Sequence, residues 1–401
     1  MTSYDHPVST HDQDPLGPGK PPPSRRRRWI VAAVSAAAVV AISVPFALGR
    51  GDVLGGGDEP SPSVAPPTGA ATSTPSTPSS GTTPRAGVLD VTHLATGALP
   101  AIGYARQGVV HLADGTTVTP ATTHPMTGFT ELADGTLAYL TRHDTSFTVE
   151  ITATDGTHLG PFPSAYAIVV NTDRTLVAWL SRSGTPMVWQ PGLTAPRPLN
   201  ATIPGNSRRL AAVTGTSATG CTVYASSWQG QSSHAWAVTS AGRLTTADTE
   251  DRLIGVSDVA TDGRMIGYTA ITDTGSRSAV VDEPAAGHPV LWVTSRHSLD
   301  TFSPTGEFLL AGPAYRDGIG DGQIALYTET GRLLVNRQTS DRNPGFYQGA
   351  TWEDATHVLF PVFQAEKWSL VRMSVTGTME YAVPPTAGRM DHNPFLVAAR
   401  P

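Results

Sequence analysis

The sequence predicts an all-β fold over residues 89–401, a seven-bladed β-propeller, and three observations carry that prediction. Short apolar strands separated by glycine turns recur at a period of about 44 residues, the spacing of a four-stranded blade. One such unit, Phe129 to Gly160, pairs an apolar stretch at Gly135–Leu140 with an alternating one at Phe147–Thr152, and Asp134-Gly135 and Asp155-Gly156 stand at its joints. A sheet this small cannot bury its own apolar face, so it must stack on copies of itself. Finally, the two ends of the region are complementary fragments of one unit.

The repeats align on the turn between the first two strands. These turns are Asp134-Gly135, Asp173-Arg174, Thr219-Gly220, Asp262-Gly263, Thr305-Gly306 and Asp354-Ala355, at spacings of 39, 46, 43, 43 and 49 residues. An apolar strand follows each, then a polar loop, a third strand and usually a final turn into a fourth. Residues 100–119 supply second, third and fourth strands with no first ahead of them, and residues 394–399 supply a first with nothing after. Joining them closes the ring and removes exposed edges.

Ahead of the ring the composition changes. Residues 1–28 are polar and proline-rich, end in Arg25 to Arg28, and read as a disordered cytoplasmic tail. Residues 29–48 carry no charge, and twenty residues of helix rise about 30 Å, enough to span a bilayer. The leading arginines stay on the cytoplasmic side, so this run reads as a signal anchor with the C-terminal part outside the cytoplasm. Residues 49–88 are mostly Gly, Pro, Ser, Thr and Ala and read as a disordered stalk. The expected protein is a single-pass membrane protein holding an extracytoplasmic propeller away from the bilayer.

The 40 glycines and 34 prolines suit turn-rich β structure plus a linker. Of the net charge of −6, the tail carries +2 and residues 29–88 carry −1, which leaves −7 on the ring. That balance argues against nucleic acid as a partner, since phosphate binding needs clustered basic charge. Cys221, the only cysteine, excludes an intrachain disulfide and reads as a small buried hydrophobe.

The stretch Asp300–Gly312, DTFSPTGEFLLAG, resembles the Ser-Pro-Asp-Gly repeat of bacterial TolB-like and WD-repeat-like propellers, with Thr305 in place of the Asp. The layout as a whole is similar to membrane-anchored propellers of high-GC Gram-positive bacteria. The resemblance implies an architecture and no active site.

No hydrolase elbow, zinc-protease or nucleotide-loop motif occurs, and no catalytic residue, metal or cofactor is assigned. Asp317 and Asp321 fall at positions 1 and 5 of a calcium loop with Gly322 at 6, but Ile319 stands at position 3, where an oxygen ligand is needed, and Thr328 at position 12, where a bidentate Glu is needed. Glu353 and Asp354 are expected to be solvated turn carboxylates. The loops joining second to third strands crowd one face of such a ring, and they carry side chains common at interfaces: Arg142, His143, Arg182, Trp228, Arg277, Tyr315, Arg316, Asp317, Lys367 and Trp368. The leading expectation is therefore non-enzymatic binding of a protein or cell-envelope ligand. The alternatives are an envelope sensor signalling through the tail, and a lactonase- or lyase-like enzyme working in the central channel.

Overall fold

The computed structural model describes residues 85–399, apart from 165–166, 217–218, 230–231, 249, 251, 317 and 319. The tail, the apolar run and the stalk as far as residue 84 lie outside the described residues. The described chain is all-β, and its strands form seven antiparallel sheets, the blades of a propeller.

Blade 1 takes its innermost strand, Phe395–Val397, from the C-terminal end and Tyr104–Arg106, Val109–His111 and Thr117–Val118 from the N-terminal end. The seam has the expected register, with Tyr104 opposite Val397 and Arg106 opposite Phe395. Blades 2 to 7 follow in chain order, and their innermost strands start at Met126, Ile168, Asn206, Gly255, His297 and Gly345. All six aligned turns fall between the first and second strands of their blades. The Asp134 carboxylate accepts from Thr136 N at 2.9 Å, while Gly135 takes a φ of 86°, which a side chain would disfavour. At Asp173-Arg174, Arg174 itself takes the left-handed conformation, at φ 54°. Asn171 holds that turn, its Oδ1 accepting from Thr175 N at 2.8 Å and from Leu176 N at 2.9 Å.

Among the described residues the buried side chains fall into seven apolar clusters, and each fills the space between two neighbouring blades. Trp179 and Trp189 fill the gap between blades 2 and 3. Cys221 is 4% exposed in the next gap, as expected, and burial raises its thiol pKa. Polar side chains staple adjacent blades where backbone ladders cannot reach. Asp258 Oδ2 accepts from Phe302 N at 2.8 Å, and Ser226 Oγ accepts from Val256 N at 2.9 Å.

The sequence places the chain as far as Val88 in the stalk, but Arg85–Val88 is a strand. It adds in parallel to the outer edge of blade 6, Arg85 opposite Val335 and Val88 opposite Gln338. The next residues strap across blade 7. Leu89 and Val91 are 0% and 4% exposed in the gap between blades 6 and 7, each worth roughly 1.5–3 kcal/mol of burial. Gln364 reads their backbone, its Oε1 accepting from Val91 N at 2.7 Å and its Nε2 donating to Leu89 O at 3.1 Å. Tyr381 donates its hydroxyl hydrogen to Val91 O. Arg372 donates to Ala98 O at 3.1 Å and Leu99 O at 3.0 Å while paired with Glu353, whose carboxylate also accepts from Ala101 N. Glu353 is thus 2% exposed and clamped, not the solvated turn residue the sequence suggested.

Changing Gln364 to Ala strands the Val91 donor and Leu89 acceptor in an apolar gap, so denaturant unfolding of the full chain should show a loss of about 1–3 kcal/mol. A loss below about 0.5 kcal/mol, the scale of a neutral surface change, would mean the strap is not part of the cooperative fold.

Candidate docking face

Alternation of strand direction fixes which loops share a face. First-to-second and third-to-fourth turns lie at one rim of the ring, and these are the Asp-Gly and related turns. Second-to-third loops lie at the other, together with the links from each outer strand to the next blade. The loops predicted to act together are therefore brought to one face, each between the second and third strands of its blade.

The structure divides the ten expected residues. Arg182, Arg277 and Lys367 are exposed, and Tyr315 is 51% exposed. Arg142 is half-buried, its Nε donating to Asp144 O at 3.1 Å across its own loop. His143 is tied down beside it, with Nε2 2.9 Å from Thr148 Oγ1 and its ring centroid 3.7 Å from that of His124. Trp228 is half-buried near the end of its strand, opposite Asn206 and Ser233. Asp317 lies outside the described residues, as does Ile319 of the candidate calcium loop. Asp321 is described and is occupied by the protein, as set out below; among the described residues no group of three or more metal-ligating side chains converges.

Two expectations are corrected. Trp368 is fully buried, because it is already the second residue of strand Lys367–Ser374, an inner strand of blade 7 that is buried on both faces from Trp368 to Val371. Its ring packs on Phe346 and Phe363, and its Nε1 donates to Arg389 O at 2.8 Å. Arg316 is not a surface anchor either. Its side chain is 11% exposed and donates through one terminal nitrogen to both oxygens of Asp300, at 2.8 and 2.7 Å, with Asp321 3.7 Å from its Nε.

That ionic node sits just under the loop face where blades 6 and 7 meet. Asp300 is the extra residue of a bulge in the innermost strand of blade 6, which turns its carboxylate toward Arg316. Asp321 and Tyr347 exchange backbone hydrogen bonds at 2.9 Å and bring the next blade to the node. Gly312 makes the slot, since a Cβ there would stand 2.3 Å from an Arg316 terminal nitrogen. Burial works against the Arg316 charge, but Asp300 and Asp321 more than offset it and raise its pKa. Burial pushes Asp321 up to about 6, against the pull of Arg316. Sequence spacing carried no sign of this node, beyond Asp300 heading the DTFSPTG repeat.

On the same innermost strand His297 is completely buried, with Nδ1 against the Tyr327 hydroxyl and Nε2 accepting from Gln323 Nε2 at 3.0 Å. Gln323 in turn donates to Asn336 Oδ1 at 2.9 Å. Burial lowers the His297 pKa to about 4, so it is a neutral imidazole with both nitrogens engaged.

Changing Arg316 to Leu should destabilise the full chain by about 3–5 kcal/mol at pH near 7.5, because it leaves two carboxylates without their cation. Asp321 has a folded pKa above its unfolded value, so its folded form holds the proton more tightly and its contribution falls as pH rises through about 6. Without Arg316 the Asp321 carboxyl loses the cation that pulls its pKa down and holds its proton more tightly still. Lowering the pH from about 7.5 to about 5 therefore relieves the variant more than the native chain, and the deficit should shrink, read by denaturant titration at each pH. A deficit constant across that window would refute the ionic account of the node.

No family profile matches the chain, and no curated protein matches it either. Among solved structures it is similar to the β-propeller domain of the Trilobed protease from Pyrococcus furiosus, described as having an open velcro topology. The identity is 9% and the TM-score 0.46, over 66% of this chain and 86% of that one. It is similar also to a putative TolB from Agrobacterium tumefaciens, at 15% identity and TM-score 0.39, covering 60% and 92% of the two chains. Prolyl oligopeptidase B from Galerina marginata is a third, at 11% and 0.46, where the match covers 66% of this chain but 43% of the enzyme. The propeller is read from this chain's own seven sheets, and likenesses this distant bear on nothing beyond the fold.

Proposed function

We propose that the ring is a non-enzymatic binding module that docks an envelope protein or polymer on its second-to-third loop face, held outside the cytoplasm by the apolar run at residues 29–48. The observation that carries this reading is the exposure, on one face and from four different blades, of Arg182, Arg277, Tyr315 and Lys367. Cations and a tyrosine distributed in this way suit a large ligand with anionic or hydroxyl-rich groups better than a small one in a cleft. The face is rigid where it matters, because the node at Arg316 and the packing of Trp368 fix the loops of blades 6 and 7 from beneath. His297, the histidine on a channel-side strand, spends both nitrogens on protein partners and offers the enzyme reading no free base.

The test is photo-crosslinking of envelope fractions with the full-length chain, comparing the native protein with a variant carrying Arg142, Arg182, Arg277 and Lys367 changed to Ala. A second variant carries Asp114 and Asp155 changed to Ala on the opposite rim. Recovery of a defined protein or glycan should fall roughly tenfold, about 1.4 kcal/mol, in the loop variant and stay unchanged in the rim variant. Equal recovery from all three would remove the loop face as the docking surface.

A further inference from the structure

The outer strand of every blade is a sheet edge, with a row of backbone donors and acceptors open to another strand. Most edges in this ring are blunted. Thr117–Val118 and Arg197–Pro198 are two residues long and Leu244–Thr246 is three. His158–Ser164 carries Pro161 and Pro163, and Met379–Ala387 carries Pro384 and Pro385, which cannot donate. Leu333–Gln338 is covered by Arg85–Val88. Blade 5 differs. Its outer strand, Val290–Thr294, is five residues long, has neither proline nor charge, and carries no strand on its outer side among the described residues.

Its side chains match its backbone. Val290, Leu291 and Val293 are 40%, 43% and 42% exposed, and they are three of the seven large hydrophobic side chains exposed among the described residues. The strand is also held ready. Trp292 Nε1 donates to Glu329 O at 2.7 Å, and its ring lies over Gly331, where a Cβ would stand 2.7 Å away. Blade 6 shows what such an edge does. Each of the two outer strands slips its register by one residue, at Leu291 in blade 5 and at Leu334 in blade 6. In blade 6 the residues after the slip, from Val335 to Gln338, receive an added strand. The equivalent residues in blade 5 begin at Trp292 and stand open.

We propose that this edge pairs with the same edge of a second copy of the chain, giving a two-fold dimer in which blade 5 continues into its partner as one sheet. A two-fold axis makes the paired strands antiparallel and the contact self-complementary. The stretch Val290–Thr294 has no charge, so two copies meet without like-charge opposition, and their exposed Val and Leu side chains cover one another. A second copy of this edge has the properties the site asks for in a partner: extended, proline-free and apolar.

Sedimentation velocity on the full-length chain in detergent should show a dimer that dissociates on dilution. Leu291→Lys with Val293→Lys places two charges at the seam, so association should weaken by at least about 100-fold, about 2.8 kcal/mol. The thermal midpoint at low concentration should be unchanged, because both positions are exposed. Leu291→Ser with Val293→Ser removes only the apolar cover and should weaken association by a smaller factor, so the result does not depend on the lysine variant folding. A native chain monomeric at about 100 μM, weaker than any stable dimer would be, overturns the proposal. So does a dimer that survives the lysine substitutions, or a monomer whose blade 5 edge instead takes up an apolar strand from another protein.

Discussion

Closing the ring is the condition on which every other feature of this structure depends. A four-stranded blade buries its faces only against its neighbours, so an apolar gap left open would expose two faces at once. The seven interblade clusters share that condition equally, but the strands do not. Blade 1, which joins the two ends of the ring, has strands of three, three, three and two residues, fewer paired residues than any long blade contributes. The strap from Leu89 to Ala101 adds what the seam lacks. It puts Leu89 and Val91 into the gap between blades 6 and 7 and reaches blade 1 under the Arg372–Glu353 clamp. Closure is thus shared between a short seam and a long strap.

The same condition explains where charge is buried. Adjacent blades meet through side chains and not through ladders, so a polar group that spans the gap sets their relative position. Asp258 does this between blades 5 and 6, and the Asp300–Arg316–Asp321 node does it between blades 6 and 7. Burial raises Asp258 to about 6, which shows the desolvation it undergoes for two backbone hydrogen bonds. Staples of this kind hold the loops of neighbouring blades in a fixed relation to one another.

Much of this was legible in the residues. The six turns, the strand order within blades and the split blade followed from local signals, because a tight turn needs particular residues and a half-buried strand needs alternation. What was not legible depends on distance. Trp368 looks like a loop residue because the turn between the two strands is only Ala365-Glu366, so a loop drawn over Gln364–Trp368 takes in the start of a strand that is buried on both faces. Arg316 looked like a surface cation because its partner Asp300 belongs to another strand of the blade. Arg85–Val88 reads as linker because its short RAGV stretch carries no apolar periodicity, whereas Leu89 and Val91 that follow it alternate as buried residues do. Glu353 reads as solvated because nothing near it in the sequence announces Arg372, nineteen positions on. Of the face itself, the placement of the loops was readable and the exposure of each side chain was not.

The place where the chain joins the ring has a mechanical meaning. Tension on the residues before Arg85 is delivered to the outer layer of blade 6, along a strand that lies parallel to its partner. To reach the short seam of blade 1, that load must first extract two apolar side chains and break the contacts of Gln364, Tyr381 and Arg372. The strap therefore works as a strain relief, like the clamp that keeps a pulled cable from loading its solder joint. A pull on the chain ahead of Arg85 would thus spare the short seam of blade 1 until the strap had come away.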